Sequence, residues 1–469
     1  LIKEIGCDFM AKVDLLLKNG RVLIDDALLE TCVAVEGEKI LGVGSESALP
    51  PGERVIDLQG KIVIPGLVDT HTHLREPGYT YKEDFTTGTQ AAAVGGVTMV
   101  IDQPNCEPPT KDLKTFLEKK EIAKRKCIVD FNHLVFPSSN EEVRKVAEAG
   151  GIGYKIFMVR GEYPHDPRVS LDDTGLLLER FQAIESTNLP VMVHPCDMAI
   201  FTQLERRLRE RGRSDYLALS EAYMDELLYS GPVANLIYLQ QRTNVKLHIF
   251  HTHGVEEIRL IREAKMRGQN VTCQVDPKYF LITKEELERL GPLVIPGGTI
   301  PQYRIDAIWK GINEGTIDVI GTDHAPHTKE EMEKARVDAF KAPWGNPQLE
   351  HYLSILLTEV NRGTLTLEHL SKICSTNPSK LVGLYPKKGV IAPGSDADLV
   401  VIDLKKEDII KSDRLYTKVQ WTPYEGRRVK GVPVMTFVRG EIVAESGEVV
   451  GKPGHGKFTP PLSWKGCSA

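Results

Sequence analysis

Five apolar runs in this sequence end in groups that bind metals or move protons. LVDTH closes on His71, with His73 two residues on. IGYKIFM carries Lys155, VMVHP contains His194, VKLHIFH ends in His251, and IDVIGTD ends in Asp323. Alternate residues of a strand share a face, so His71 and His73 project to one side. Two imidazoles on one side suit a single divalent cation. Taken alone, each residue has a plainer reading. A histidine at a strand end is more often structural, a lysine in an apolar strand usually carries its amine out to water, and an aspartate before a helix is often a cap. The recurrence of such groups at the same ends of five separate runs favours chemistry.

Lys155 sits among aromatic and aliphatic neighbours in GGIGYKIFMV. Burial disfavours its ammonium form. A neutral amine can add carbon dioxide to give a carbamate, whose two oxygens could bridge two metals that an ammonium would repel. The alternative is an ion pair with an acidic neighbour. Four neutral histidines, the carbamate and Asp323 would balance two divalent cations. Two such cations could acidify a shared water and polarise a bound carbonyl. Asp323 could take the proton of that water and return it to a leaving nitrogen. The chemistry expected is hydrolysis of an amide-like bond.

These groups need a scaffold that brings strand ends together. Eight candidate strands run through the middle of the chain, at 67–71, 97–102, 127–135, 152–158, 191–195, 245–251, 271–276 and 317–323. Between most of them lie helical patterns such as KTFLEKKEIAKRK, LLLERFQAIEST and VEEIRLIREAKMRG. Near-continuous apolar strands alternating with helices imply a parallel sheet covered on both faces. Eight of them suggest an α/β fold of the (β/α)8 barrel type over residues 66–385, with the site at the C-terminal strand ends. An open doubly wound sheet is the alternative, although no Gly-x-Gly-x-x-Gly turn follows the first strand.

Residues 11–65 and 386–450 share a different, all-β texture. Asn19-Gly20 between apolar segments marks a tight hairpin, and CVAVEGEKILGVG repeats the idea. The expectation is one small β-sandwich domain assembled from both chain ends, against the alternative of two independent β subdomains. Residues 197–244 read as helices extending past the barrel and suited to contact in a homo-oligomer, a dimer or tetramer. Residues 276–310 form a long connection of the kind that is usually functional. The tail, 451–469, is rich in Gly and Pro and reads as extended or disordered, or as packing on a neighbour.

The bulk properties agree with an enzyme. The chain has 469 residues, 41% hydrophobic and 26% charged, with a net charge of −6, which fits one large domain plus an accessory one. No dense basic run offers a nucleic-acid footprint. Eight scattered cysteines without a Cys-x-x-Cys pair suggest reduced thiols and a cytoplasmic setting. No apolar run reaches the ~20 residues that span a bilayer, and the start lacks a secretion signal. Met10 reads as the natural start, with residues 1–9 preceding it.

The motifs resemble the amidohydrolase superfamily, in its branch of cyclic amidohydrolases: dihydroorotases, allantoinases, and hydantoinases or dihydropyrimidinases. The resemblance covers nearly the whole chain, through IPGLVDTHTHLREPG, EDFTTGTQAAAVGGVTMVIDQPN, GYKIFM, VMVHP, LHIFHTH, GTDHAPHT and STNPSKLVGLYPKKGVIAPGSDADLVVID. It implies a metallo-barrel with a β-sandwich from both chain ends and two divalent metals, expected to be zinc. One metal would be held by His71, His73, Lys155 and Asp323, the other by Lys155, His194 and His251, with His248 and His253 as bystanders. Arg75 in HLREPG, Asn105 in QPN and His327 in TDHAPHT resemble the carboxylate-binding residues of dihydroorotases. An arginine, an amide and an imidazole together can satisfy a carboxylate. Two stretches depart from dihydroorotases: PGGTIPQYR replaces their Asn-Pro-Pro-Leu-Arg, and Pro277-Lys278-Tyr279 replaces their Pro-His-His. GYKIFMVRGEYPHDP looks more like hydantoinases and allantoinases. The implied substrate is a small cyclic amide bearing an acidic group.

Overall fold

The computed structural model describes residues 12–160 and 166–465. The expected start at Met10 lies outside the described residues. The eight candidate strands of the middle region form at Leu67–Thr72, Val97–Asp102, Asp130–His133, Tyr154–Phe157, Pro190–His194, Lys246–Ile249, Val271–Val275 and Val319–Ile320. Each pairs in parallel with its neighbours in chain order, the first three in one sheet and the last five in another. Single bridges join the two sheets at both seams, Val135 to Tyr154 and Thr72 to His324. The ring of strands therefore has no continuous ladder all the way round. Side chains reinforce one seam: the Asp69 carboxylate accepts from the backbone N–H of His71 (3.0 Å) and of Thr322 (3.3 Å), and from the Thr322 hydroxyl.

The strands are buried on both faces because helices cover the outside, among them Phe85–Val94, Leu113–Lys126, Thr174–Glu185 and Val255–Met266. Asp84, Asp112 and Asp173 cap the first three through the backbone N–H of Thr87, Thr115 and Leu176, each contact contributing about 1 kcal/mol. The long region after the fifth strand forms three helices, Met198–Glu210, Tyr216–Tyr223 and Leu227–Thr243. The connection after the seventh folds into short helices, Pro277–Phe280 and Lys284–Leu290, before Gln302–Asn313. No helix among the described residues is long and apolar enough to cross a membrane.

The two chain ends share one nine-stranded sheet. Ile62–Pro65 lies at its centre, parallel to Val13–Ile24 on one side and antiparallel to Leu399–Ile409 on the other. The expected sandwich is thus drawn from a single hydrogen-bonded sheet, and its apolar cluster mixes Leu17, Val35 and Val63 from the first end with Leu399, Val401 and Phe437 from the second. The expected hairpin at Asn19-Gly20 is not one. Val13–Ile24 runs straight through it, with a register shift between Leu17 and Gly20. Asn19 takes the left-handed conformation (φ 57°) inside a bulge, and a Cβ at Gly20 would lie 2.5 Å from Leu58 Cδ1. The pair serves close packing there, and the chain reverses at Asp25 and Asp26 instead.

A buried ion cluster ties this sheet to the barrel. Lys388 Nζ lies 2.7 Å from Asp130 of the third barrel strand and 3.1 Å from Asp396, and it also pairs with Asp398. Arg439 pairs with the other oxygen of Asp130. The tail continues the attachment: Phe131 N–H donates to Lys457 O (3.1 Å), and Asn132 Nδ2 donates to Thr459 O (2.9 Å). The described part of the tail is therefore extended and packed on its own barrel. Lys388→Met removes the cation shared by three buried carboxylates, leaving Asp398 without one while Asp130 keeps Arg439 and Asp396 keeps Lys39, and is expected to destabilise the fold by roughly 3–5 kcal/mol. A thermal midpoint equal to that of the unchanged protein contradicts this role.

Candidate active site

The C-terminal ends of the barrel strands converge on one cleft lined by His71, His73, Arg75, Asn105, His194, His251 and Asp323. His71 Nε2 and His73 Nε2 each lie 3.3 Å from Asp323 Oδ1. The rings of His194 and His251 are 4.2 Å apart between centroids, and those of His71 and His251 4.9 Å. Lys155, fully buried, aims its Nζ at the Phe250 and Phe157 rings, 3.9 and 4.5 Å from their centroids. That Nζ has no hydrogen-bond partner among the described residues, so the alternative of a paired lysine does not hold. Burial pushes its pKa well below the ordinary lysine value, against the pull of Asp323 and Asp276.

Neighbouring side chains fix which ring nitrogen of each histidine is left to bind. Asp276 accepts from His251 Nδ1 at 2.6 Å, and Asn105 Oδ1 accepts from His73 Nδ1 at 2.7 Å. Both leave Nε2 for a metal. His194 is the reverse case: its Nε2 is bonded to the Tyr223 hydroxyl at 2.7 Å. Gln274 Nε2 faces His71 Nδ1 at 2.9 Å. Burial, aided by Arg75, pushes His73 down to about 4, and burial holds His71 well below the usual imidazole range. Both rings are therefore neutral at pH 7, as a ligand must be.

This donor set fits divalent cations. His71, His251 and Asp323 each offer a ligand atom, all within 4.8 Å of one another, and an unpartnered amine lies buried beside them. His248 and His253 are directed elsewhere, to Thr272 Oγ1 (2.8 Å) and to the His251 carbonyl (2.6 Å).

Three site residues adopt the left-handed backbone region: Arg75 (φ 62°), His251 (φ 61°) and Asp323 (φ 44°). Such conformations cost about 1–3 kcal/mol each and persist where the surroundings impose them. The turn aims Arg75 into the cleft, its Nε donating to Pro326 O (3.1 Å) and its Nη2 3.2 Å from His327 Nε2. Glu76 and Asp84, the nearby acids, pair instead with Lys126 and Lys418. Asn105 lines the cleft, but His327 does not. It is fully buried behind Arg75.

Sequence reasoning missed four contributors. Tyr223, on a helix of the inserted region, reaches back to His194. Asp276, just after the seventh strand, and Gln274, on it, orient His251 and His71. Lys278 was noted only as a departure from a motif, yet its buried ammonium pairs with Asp323 Oδ2 and lies 3.7 Å from Asp276. Burial alone would raise the Asp323 pKa, but Lys278 and the nearby imidazoles outweigh it and hold the carboxyl well below the usual range.

Elemental analysis of the intact protein is expected to give about two divalent metals per chain, with Lys155→Met losing most of them. An unchanged metal content in Lys155→Met contradicts the placement of Lys155 among the ligands.

Comparison with known proteins places the chain. Residues 62–443 match the amidohydrolase family. An L-hydantoinase of Paenarthrobacter aurescens is 33% identical over 450 residues, covering 95% of this chain and 97% of its own length. A dihydroorotase of Methanothermobacter thermautotrophicus is 35% identical over 455 residues, covering 95% and 97%. The solved L-hydantoinase (dihydropyrimidinase) from Arthrobacter aurescens superimposes with a TM-score of 0.91 at 32% identity, over 96% of this chain and all of that one. The chain belongs to the amidohydrolase family, in its cyclic amidohydrolase branch.

Proposed function

We propose that this hydrolase of cyclic amides acts as a dihydroorotase does, opening a C–N bond in a ring that carries a carboxylate. The observation that carries this reading is Arg75: a buried guanidinium opening onto the same cleft as His73 and Asp323. A guanidinium there has a clear purpose if the ring bears an anion, and less if the ring is neutral. His71, His73, Lys155 as its carbamate, His194, His251 and Asp323 would hold two divalent ions, zinc in this proposal. When bound, these ions supply an acidified water and a polarised carbonyl.

The chain's own residues do the rest. Arg75 and Asn105 seat the acid group and so fix which ring carbonyl faces Asp323. Asp323 Oδ1 takes the proton of the attacking water. Lys278 on Oδ2 keeps that carboxylate ionised and so free to receive the proton, which it then passes to the leaving ring nitrogen. Burial of the cleft residues excludes bulk water from this transfer.

A second reading is a hydantoinase, dihydropyrimidinase or allantoinase. It is favoured by the similarity to the L-hydantoinase and by Lys278, a second cation in the cleft that could face a ring carbonyl instead of a carboxylate. A non-catalytic scaffold of this fold is disfavoured, because every expected ligand position is filled.

Turnover of dihydroorotate, hydantoins, dihydrouracil and allantoin by the metal-loaded protein separates these readings. Dihydroorotate is expected to be the best substrate, with Arg75→Ala raising its KM by roughly 10- to 100-fold, as for a lost hydrogen bond to a charged group. A preference for neutral rings that Arg75→Ala leaves alone supports the second reading, and no turnover of any ring overturns both. Asp323→Asn is expected to keep the fold and lower kcat by at least about 100-fold. Normal turnover would remove Asp323 from the proton path.

A further inference from the structure

Behind Arg75 lie two groups that the reaction described above does not use, the His327 imidazole and the Lys82 amine. His327 Nε2 is 3.2 Å from Arg75 Nη2, and His327 Nδ1 is 3.0 Å from Lys82 Nζ. Lys82 and His327 are both buried. Lys82 Nζ also pairs with Glu331 Oε1 at 2.9 Å. Trp421 Nε1 donates to the His327 carbonyl at 2.8 Å and fixes that residue from the other side.

The chemistry of the groups decides where the imidazole proton sits. Arginine only donates, and a lysine ammonium only donates. If Lys82 is an ammonium, it donates to Nδ1, and the single ring proton must be on Nε2. Nε2–H and Arg75 Nη2–H are then two donors whose nitrogens lie 3.2 Å apart. A carboxylate oxygen is the acceptor that answers both. If Lys82 is a neutral amine, the ring proton moves to Nδ1, Nε2 becomes an acceptor, and Arg75 is drawn back onto His327 instead.

The cleft wall at this point is thin. Gly345 lines the cleft, and a Cβ there would lie 3.3 Å from His327 Cδ2, the atom next to Nε2. The Nε2 edge of the ring is thus set directly behind a residue with no side chain.

We propose that Lys82 is a positioning residue for the acid group of the substrate: its ammonium holds the His327 proton on Nε2, so that Arg75 and His327 present two converging N–H donors to one carboxylate. The inference rests on the acid-bearing ring of the proposed function and adds the residue that selects it.

The surroundings of Lys82 suit this role. Burial pushes its pKa down to about 8, with Glu331 raising it and Arg75 and Lys334 lowering it. The Tyr79 and Tyr81 rings lie 5.9 and 5.4 Å from its Nζ. The ammonium therefore predominates at pH 7 and is lost as pH rises through about 8. The affinity for an acid group should fall over the same range.

The test uses uracil-6-carboxylate and uracil, a ring pair that differs only by the carboxylate, titrated calorimetrically into the zinc-loaded full chain. The unchanged protein is expected to bind the acid at least about tenfold more tightly than uracil. Lys82→Met should remove about tenfold of the acid's affinity, leave uracil alone and abolish the fall above pH 8. Lys82→Arg, which keeps a buried donor cation, should retain most of the preference. In a His327→Gln background, where a fixed amide donor replaces the ring, Lys82→Met should change acid affinity less than about twofold.

An acid preference in the unchanged protein that survives in folded Lys82→Met overturns the inference alone. So does a loss shared equally by acid and uracil, or a Lys82→Met effect that persists undiminished beside His327→Gln. Absence of any acid preference in the unchanged protein overturns the acid-bearing substrate itself, and the inference with it.

Discussion

The structure is organised around a lysine amine buried without a hydrogen-bond partner among the described residues. Lys155 Nζ sits in the strand wall between two phenylalanine rings, under four histidines and an aspartate. An isolated ammonium there would have to bear the full cost of desolvation, so the group must be neutral or chemically changed. Either form makes room for cations among the imidazoles. The scaffold then has to bring five strand ends to one point, which a ring of parallel strands does. It must also hold strained backbone at Arg75, His251 and Asp323. The paired seam at Asp69 and Thr322 and the N–H of His73 on His324 O supply that hold on the first and eighth strands.

Much of this was legible in the sequence because periodicity and burial report directly on strands. All eight barrel strands fall inside or close to their expected runs, since buried parallel strands read as apolar stretches whatever their partners. The pairing of His71 with His73 followed from strand parity alone. Asn19-Gly20 misled, because the same left-handed preference serves a hairpin turn and a bulge, and only the packing against Leu58 decides between them. Tyr223 and Lys278 could not be found from pattern. Each reaches the site from a helix whose direction depends on tertiary packing, and neither occupies a distinctive local motif. The position of His327 behind Arg75 was equally hidden, because strand-end counting cannot tell a residue in the cleft from one beneath its wall.

The accessory sheet and tail are part of the same arrangement. Lys388 and Arg439 neutralise Asp130 at the third barrel strand, whose neighbour across the seam carries Lys155. Residues 415–421 approach from the sheet side: Thr417 Oγ1 donates to the buried Glu83 (2.6 Å), Lys418 reaches Asp84, and Trp421 holds His327. The Arg75 end of the cleft is thus braced by a segment far away in sequence.

The state of Lys155 tests the account most directly. Protein loaded with divalent metal and equilibrated with 13C-bicarbonate should show one carbamate carbon resonance per chain by 13C NMR, absent from Lys155→Met treated in the same way. An active, metal-loaded protein that shows no such resonance would contradict the account, because the buried amine would then be accommodated without the bridging group proposed for it.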